Sequence, residues 1–308
     1  MFGRKHSVLI SGMVLLMGFV IFYVAYTSTL ALLREQIKER LEDRALTNID
    51  KIDRIFYERY LDLRALAADG VMSSGASAPE SITRRLKEWQ NEHACYASVS
   101  FFNANRIKIA GTSPAGLGEQ HPFTHYMKGV AEGKDFVMGI SESRSLKEVA
   151  FYFASFVKDR KGSRLGVVVA RLTFGTFYGM MRTAGINAGE EIAMDLVNKD
   201  GLILYSSYNS KGVLKETLPE WEHVRKQMAG TKKTGRGALY FPVAGNEMHS
   251  FAREKGYLDF VGNDWILILH FPERETLGPT VELRIIFLTI GGVVLVIMAL
   301  FHVLLQKK

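Results

Sequence analysis

Two long apolar runs without Asp, Glu, Lys or Arg lie near the two ends of the chain. They cover residues 7–33 and 285–306, and each exceeds the roughly 20 residues that a helix needs to cross the hydrocarbon core of a bilayer. The apolar part of a cleaved signal peptide has only about 7 to 15 residues, so the length of the first run favours an uncleaved anchor. We therefore expect transmembrane helices at residues 7–33 and 279–306, the second restarting at Gly278 and Pro279.

Short basic flanks set the expected orientation of both helices. Basic residues precede the first run within residues 1–6 and follow the second at residues 307–308. Because basic residues beside a span stay on the cytoplasmic side, both flanks are expected in the cytoplasm. The central part of the chain then faces the periplasm or the cell exterior.

A helical pattern of apolar residues continues beyond the first run. From Ile37 to Leu66, apolar residues recur at steps of three and four with charged residues between them, as in an amphipathic helix. The stripe is narrow, which suits packing along a sheet edge or against a second copy of the chain in a homodimer. Polar residues at 73–79 end this helix, and a shorter one is predicted over residues 80–93. Residues 34–94 thus form a long helix and a connecting helix.

From Tyr96 onward, the apolar pattern changes from that of a helix to that of strands. A first group of strands is predicted at residues 96–103, 106–111, 136–141, 148–157 and 164–174. The pattern recurs more weakly, with strands predicted at residues 191–198, 202–207, 237–243, 248–254 and 265–271. A short helix is predicted at residues 122–132. The predicted fold class is α+β: a long N-terminal helix carries two antiparallel-sheet modules, residues 95–182 and 183–278, between two transmembrane helices.

Composition narrows the function classes. The net charge is +7, but Lys and Arg alternate with Asp and Glu through the centre of the chain, which is typical of a solvated surface. The sequence has no continuous basic stripe with aromatic residues, so no nucleic-acid binding is expected. Cys95 is the only cysteine, so no disulfide can form within the chain, and we expect a half-buried thiol.

Four short segments keep a characteristic order between the two spans: residues 126–133, 166–169, 198–201 and 264–267. In order, spacing and placement they resemble the double Cache family of bacterial extracytoplasmic sensor domains, and the resemblance covers residues 34–279. It implies two PAS-like modules, a small-molecule ligand in the membrane-distal module, and a multi-pass protein of the bacterial inner (plasma) membrane. Family members signal to a cytoplasmic kinase, cyclase or chemotaxis domain. We therefore expect such an output, in a longer protein or in a partner, and a homodimer as the unit.

The first module departs from the amino-acid-binding members of this family at two positions. By spacing from Gly133, Thr124 stands where those members carry an arginine that holds the ligand carboxylate, whereas Tyr126 matches the aromatic residue two positions later. Arg171 stands where they carry the aspartate that holds the ligand amine. An amino acid bound in the usual way is therefore not expected.

Arg171 is the main candidate for contact with a ligand. Its neighbours Val169 and Leu172 are apolar, so its guanidinium group points to solvent, pairs with Glu142, or meets an anion inside the module. An inward arginine favours carboxylate or phosphate, because its planar fork donates two parallel hydrogen bonds. Aromatic residues in such strands are more often ordinary core. With that alternative open, the candidate ligand-binding residues are Tyr126, Arg171, His125, Phe153, Ser141, His121 and Phe151.

His121 and His125 are four residues apart, a spacing that on a helix could start a metal site. No third ligand follows from the spacing, and Pro122 places the start of the predicted helix between the two histidines. A capping or pocket-lining role is therefore favoured, and we predict no metal and no cofactor.

No catalytic pattern in the sequence is complete. Residues 230–237 have the glycine spacing of a phosphate-binding loop but lack its Lys and its Ser or Thr. Residues 139–143 lack the last glycine of a nucleophile elbow. We therefore expect a membrane-anchored sensor that transduces ligand binding, and not an enzyme. The alternative is a structural membrane protein such as a polysaccharide chain-length regulator, in which long helices instead of strands would fill the segment between the spans.

Overall fold

The computed structural model describes residues 4–122, 129, 132–143, 146–186, 192–230, 236–241 and 247–307. The chain divides into two compact units, one of residues 1–44, 237–250 and 270–308 and the other of residues 45–236 and 251–269. The described helices are α1 Arg4–Ala67, α2 Gly70–Ser73, α3 Pro79–Glu92, α4 Phe174–Thr183, α5 Trp221–Gly230 and α6 Glu273–Lys307. The described strands are β1 Ser98–Asn103, β2 Lys108–Gly111, β3 Phe136–Ser143, β4 Glu148–Lys158, β5 Arg164–Thr173, β6 Ala193–Val197, β7 Ile203–Ser206, β8 Arg236–Phe241, β9 Glu247–Arg253 and β10 Ile266–Phe271.

These strands form two five-stranded sheets with the same strand order. The first sheet has the order β2-β1-β5-β4-β3, and the second has the order β7-β6-β10-β9-β8. Pairing is antiparallel between β3 and β4, between β4 and β5, and between β6 and β7. The repetition confirms the predicted α+β class, with a long N-terminal helix and two antiparallel sheets.

Helix α1 has 64 residues, which corresponds to about 96 Å at 1.5 Å per residue. Its C-terminal part buries the apolar stripe that the sequence predicts. The stripe residues that are at most 1% exposed are Ala45, Ile49, Ile52, Phe56, Leu63 and Leu66. The ring of Phe56 stacks on that of Phe177 at 5.4 Å and meets Trp265 edge-on at 5.7 Å. The helix therefore anchors an aromatic core to which α4 and the residue before β10 contribute.

Two of the described helices are long and apolar enough to cross a membrane. They are the N-terminal part of α1 and residues 278–297 of α6, and almost none of their side-chain surface is buried by protein. The ring of Phe287 lies 5.3 Å from that of Phe22 and 5.2 Å from that of Tyr26. An exposed apolar surface of this extent marks a contact with membrane or protein.

Helix α6 begins earlier than the sequence predicts. It starts at Glu273, and Pro279 lies inside it, so the predicted restart at Gly278 and Pro279 is wrong. A proline removes one backbone hydrogen bond from a helix. The helical residues on both sides of Pro279 keep the helix continuous despite that loss.

The sequence pattern does not predict α4, since it indicates a strand at residues 164–174 and no helix after it. Thr173 ends β5 and caps α4, since its hydroxyl oxygen accepts a hydrogen bond from the Thr176 backbone N–H at 3.2 Å. Phe177 and Met181 are the buried residues of this helix. Most of the helix predicted at residues 122–132 lies outside the described residues.

Candidate functional site

The first sheet has two faces of different chemistry. Along β5, Val167, Val169 and Arg171 point to one face, since successive side chains of a strand alternate between faces. Val167 and Val169 pack there in an apolar cluster with Phe102, Tyr152 and Ala154. The opposite face packs against α1. Arg171 therefore lies on the face of the sheet that does not face the long helix.

A cavity of about 40 Å³ opens on this face beside Arg171, and we call it the Arg171 cavity. Its lining residues are Ser100, Phe102, Lys108, Ala115, Gly116, Glu119, Gln120, His121 and Arg171. Arg171 is 6% exposed and Lys108 is 4% exposed, so the solvent-facing alternative for Arg171 is wrong. Strands β5 and β2 thus bring two buried cationic side chains to one cavity.

Lys108 is held in place by the loop that follows β2. Its Nζ donates hydrogen bonds to the carbonyl oxygens of Ser113 at 2.8 Å and Ala115 at 2.7 Å. The stem of Lys108 crosses Gly111, where an added Cβ would lie only 2.7 Å from the lysine Cε. Burial lowers the pKa of Lys108, and the charge of Arg171 lowers it further. An anion in the cavity would oppose both effects, because it would stabilise the charged form of the lysine.

The rim of the cavity is a loop fastened along β2. The Gly118 N–H donates to the Lys108 carbonyl at 2.8 Å, and the Lys108 N–H donates to the Glu119 carbonyl at 3.1 Å. Gly116 and Gly118 have φ values of +72° and +79°, a region that favours glycine. These glycines let the loop turn back and place the residues that follow them over Lys108.

His121 closes one side of the cavity. Its ring meets the ring of Phe102 edge-on at 4.9 Å, and its Nδ1 lies 2.9 Å from the Pro122 carbonyl oxygen. Among the described residues, no group of three His, Cys, Asp or Glu side chains could hold a metal ion. His121 therefore has the position of a pocket-lining residue.

The remaining candidates from the sequence are placed elsewhere or lie outside the description. Phe151 and Phe153 are fully buried and contact Phe56 of α1 at 5.7 and 6.4 Å, so they belong to the helix-facing core. Ser141 is half-buried on β3 opposite Ala150 and does not line the cavity. Tyr126, His125 and Thr124 lie outside the described residues.

Sequence reasoning missed Ser100 and Lys108. Ser100 pairs with Val169 of β5, which places it on the same face as Arg171, but this pairing joins distant parts of the chain and no local pattern indicates it. Lys108 carries the same kind of signal as Arg171, a charge between the apolar residues Ile107 and Ile109 of a predicted strand.

The chemistry of this cavity suits an anionic group. A guanidinium, an ammonium and the hydroxyl of Ser100 can all donate hydrogen bonds to a carboxylate or phosphate oxygen. A water molecule needs roughly 10–15 Å³ of cavity volume, so the cavity of about 40 Å³ holds only a few atoms of a ligand. The described walls therefore enclose room for the anionic end of a ligand and not for a large molecule.

No protein-family model matches this chain, and no curated protein matches it. Solved structures of ligand-binding domains do. The domain of the Pseudomonas fluorescens chemoreceptor CtaA in complex with L-isoleucine has a TM-score of 0.60 and 16% identity, covering 80% of this chain and 97% of that one. The domain of the Pseudomonas aeruginosa amino acid chemoreceptor PctB in complex with L-Gln has a TM-score of 0.57 and 16% identity, covering 78% and 92%.

An extracellular ligand binding receptor from Desulfohalobium retbaense has a TM-score of 0.58 and 13% identity over 75% of this chain. The present chain spans only 40% of the length of that receptor. At such identities the likeness shows the fold alone. That fold is the one of chemoreceptor ligand-binding domains, which confirms the double Cache architecture that the four sequence segments indicate.

Proposed function

We propose that this chain is a membrane-anchored extracytoplasmic sensor that binds a small anionic ligand in the Arg171 cavity. The observation that carries this proposal is the convergence of two buried cations, Arg171 and Lys108, on one cavity of the first sheet. Carboxylate and phosphate oxygens accept hydrogen bonds from both guanidinium and ammonium groups. One anionic group of a ligand could therefore be shared by the two cations.

The proposed topology has spans at residues 7–33 and 279–306, both termini in the cytoplasm, and the protein in the bacterial inner membrane. Residues 95–182 form the membrane-distal module, and residues 183–278 form the membrane-proximal one. Cysteine introduced as Asp200→Cys in a Cys95→Ser background tests the orientation. A membrane-impermeant maleimide should label it in cells whose outer barrier is open; labelling only after lysis of the inner membrane would contradict this topology.

Transduction is proposed to run through α1. This helix is continuous from its apolar N-terminal part to the aromatic core around Phe56. A ligand can shift a two-state equilibrium only by its difference in affinity for the two states. We infer that ligand binding biases the position of α1 in a homodimer, and that a cytoplasmic signalling domain or partner reads the change. The strands between the spans favour this function over a polysaccharide chain-length regulator.

The test is thermal unfolding of the full chain in detergent with matched anionic and neutral probes. Acetate, succinate and inorganic phosphate are compared with acetamide and succinamide at equal concentration and ionic strength. At least one anion should raise the melting temperature, because a ligand that binds only the folded state stabilises it by mass action. The neutral amides should not do so.

Variants assign the effect to the cavity. Arg171→Met removes the cavity charge, and Arg160→Met removes an exposed arginine of the β4–β5 turn as the matched control. The shift should disappear in Arg171→Met and persist in Arg160→Met. A shift that survives in Arg171→Met, or the absence of any shift with the three anions, would count against the proposal.

A further inference from the structure

A second and larger concave site lies in the unit of residues 45–236 and 251–269. It has a volume of about 350 Å³ and is lined by Tyr60 and Arg64 of α1, residues 134–138 at the start of β3, and residues 259–263 between β9 and β10. We call it the Tyr60 groove. Its volume falls at the lower end of the range for small-molecule sites, about 300–1,000 Å³, whereas the Arg171 cavity is much smaller.

The floor of the Tyr60 groove is aromatic. The ring of Tyr60 meets Phe136 edge-on at 5.0 Å and lies 6.0 Å from Phe260. Phe136 and Phe260 meet edge-on at 6.2 Å. Val261 at the edge of the groove is 87% exposed. An aromatic ring of a ligand placed in the groove would contact these three aromatic side chains and would cover the exposed side chain of Val261.

The groove is lined by two cations, Arg64 and Lys134, and two acids, Asp135 and Asp259. Arg64 pairs with Asp259 at 2.9 Å, and Lys158 pairs with Asp135 at 2.6 Å. Both acids are thus paired, Asp135 with a lysine that does not itself line the groove. Lys134 has no ion pair among the residues that the structure describes, so it is the lining cation that an anionic group can meet.

The wall formed by residues 259–263 is fixed in position. Glu254 accepts hydrogen bonds from the Asn263 N–H at 2.6 Å and the Trp265 N–H at 3.2 Å. The Lys255 N–H donates to Asp53 of α1 at 3.2 Å. Gly256, with φ +77°, makes the turn, since an added Cβ would lie only 2.0 Å from the Phe260 carbonyl oxygen. A preformed wall lowers the ordering cost of binding.

We propose that the Tyr60 groove is a second ligand site, which takes a small aromatic carboxylate. The ring lies on Tyr60, Phe136 and Phe260, and the carboxylate faces Lys134. This site uses none of the residues of the Arg171 cavity, so it stands or falls independently of the proposed function.

The test is saturation-transfer NMR and isothermal titration of the full chain in detergent with benzoate. Cyclohexanecarboxylate is the probe that keeps the charge and lacks aromaticity, and benzamide keeps the ring and lacks the charge. Benzoate should bind more tightly than either. The variants Lys134→Gln and Val261→Asp change exposed side chains. Lys134→Gln should weaken benzoate binding by about fivefold, the upper range for an exposed charge pair. Val261→Asp should weaken benzoate binding by about tenfold, because one buried valine contact is lost.

Arg171→Met is the control that separates the two sites, and it should leave benzoate affinity unchanged. Loss of benzoate binding in Arg171→Met, with binding kept in both groove variants, would assign benzoate to the Arg171 cavity and overturn the second site. Absence of benzoate binding would overturn it as well. Equal affinity for benzoate and cyclohexanecarboxylate would overturn the aromatic ligand class.

Discussion

The two sheet modules share a hairpin design but differ in the polar residues that it presents. Asn103 ends β1 and Asn198 directly follows β6. Each side chain accepts hydrogen bonds from the backbone N–H groups two and four residues ahead at 2.9–3.0 Å. Three residues before each asparagine stand Ser100 and Asp195. These two residues therefore occupy equivalent positions in the two modules.

Their surroundings have opposite character. Asp195 is fully buried and accepts a hydrogen bond from the Tyr208 hydroxyl at 2.7 Å, so the chain itself supplies a partner for the acid. Ser100 lies beside a cavity that holds Arg171 and Lys108. The comparison teaches that the repeated fold does not define a ligand site, whereas the side chains placed on it do.

The largest expected effect is a loss of stability on truncation of a core residue, and it should be the same with and without ligand. Phe151→Ala removes a fully buried ring that contacts Phe56, Phe177 and Trp265. Truncation of such a residue costs about 3–5 kcal/mol of stability. Thermal unfolding should show a fall in melting temperature, with ligand affinity of the folded protein unchanged. Tyr178→Ala, at an exposed residue of α4, is the control, and an equal fall there would contradict the assignment of Phe151 to the core.

A pH effect of intermediate size is expected from a buried pair of acids beside the second sheet. Burial raises the pKa of Glu254 to about 7, with a further contribution from the charge of Asp53, and burial raises the pKa of Asp53 to about 6. The folded state thus binds protons more tightly than the unfolded chain. The resulting stability is complete below about pH 4 and is lost as the pH rises through about 6 to 7.

Melting curves at pH 4.5 and 7.5 check this effect. Between these two pH values, the wild type should lose roughly 2–3 kcal/mol of stability through the titration of Glu254. Its melting temperature should therefore fall by several degrees more than that of Glu254→Gln. Glu142→Gln, at an exposed position, should behave as the wild type. An equal pH dependence in the wild type and Glu254→Gln would show that Glu254 does not titrate in this range.

The smallest expected effects are those of substitutions at the two equivalent strand positions, Asp195 and Ser100. Asp195→Asn weakens the hydrogen bond with Tyr208 and should cost about 1–2 kcal/mol of stability without a change in ligand affinity. Ser100→Ala should have the reverse pattern, with a severalfold loss of affinity and little loss of stability. Both follow from paired melting and titration measurements. A change of ligand affinity in Asp195→Asn would remove the contrast between the modules.

Much of the fold could be predicted from the sequence because its periodic signals are strong. The stripe from Ile37 to Leu66 and the alternating strands predicted the long helix and two sheets. Helix α4 escaped because Gly175 and Gly179 lower its helix propensity, and its buried residues Phe177 and Met181 are too few to set a period.

The candidate site could be predicted only in part. Arg171 stands out because a charge interrupts an apolar strand, and the structure places it in a cavity. The run Phe151-Tyr152-Phe153 carries no such signal, since both faces of β4 are buried. Which ring faces the helix depends on pairing with β5, where Tyr152 is opposite Arg171. Pairing of this kind joins distant parts of the chain and cannot be read from a local pattern.

The most direct test of the central claim is a double-variant cycle by isothermal titration of the full chain. The titrant is whichever of acetate, succinate and phosphate gives the largest thermal shift, and the proteins are the wild type, Lys108→Met, Arg171→Met and the double variant. If both cations hold one anion, each single variant loses most of the affinity and the double variant loses little more, with a coupling energy of about 1 kcal/mol or greater. Strictly additive losses, or unchanged affinity in either single variant, would contradict the account.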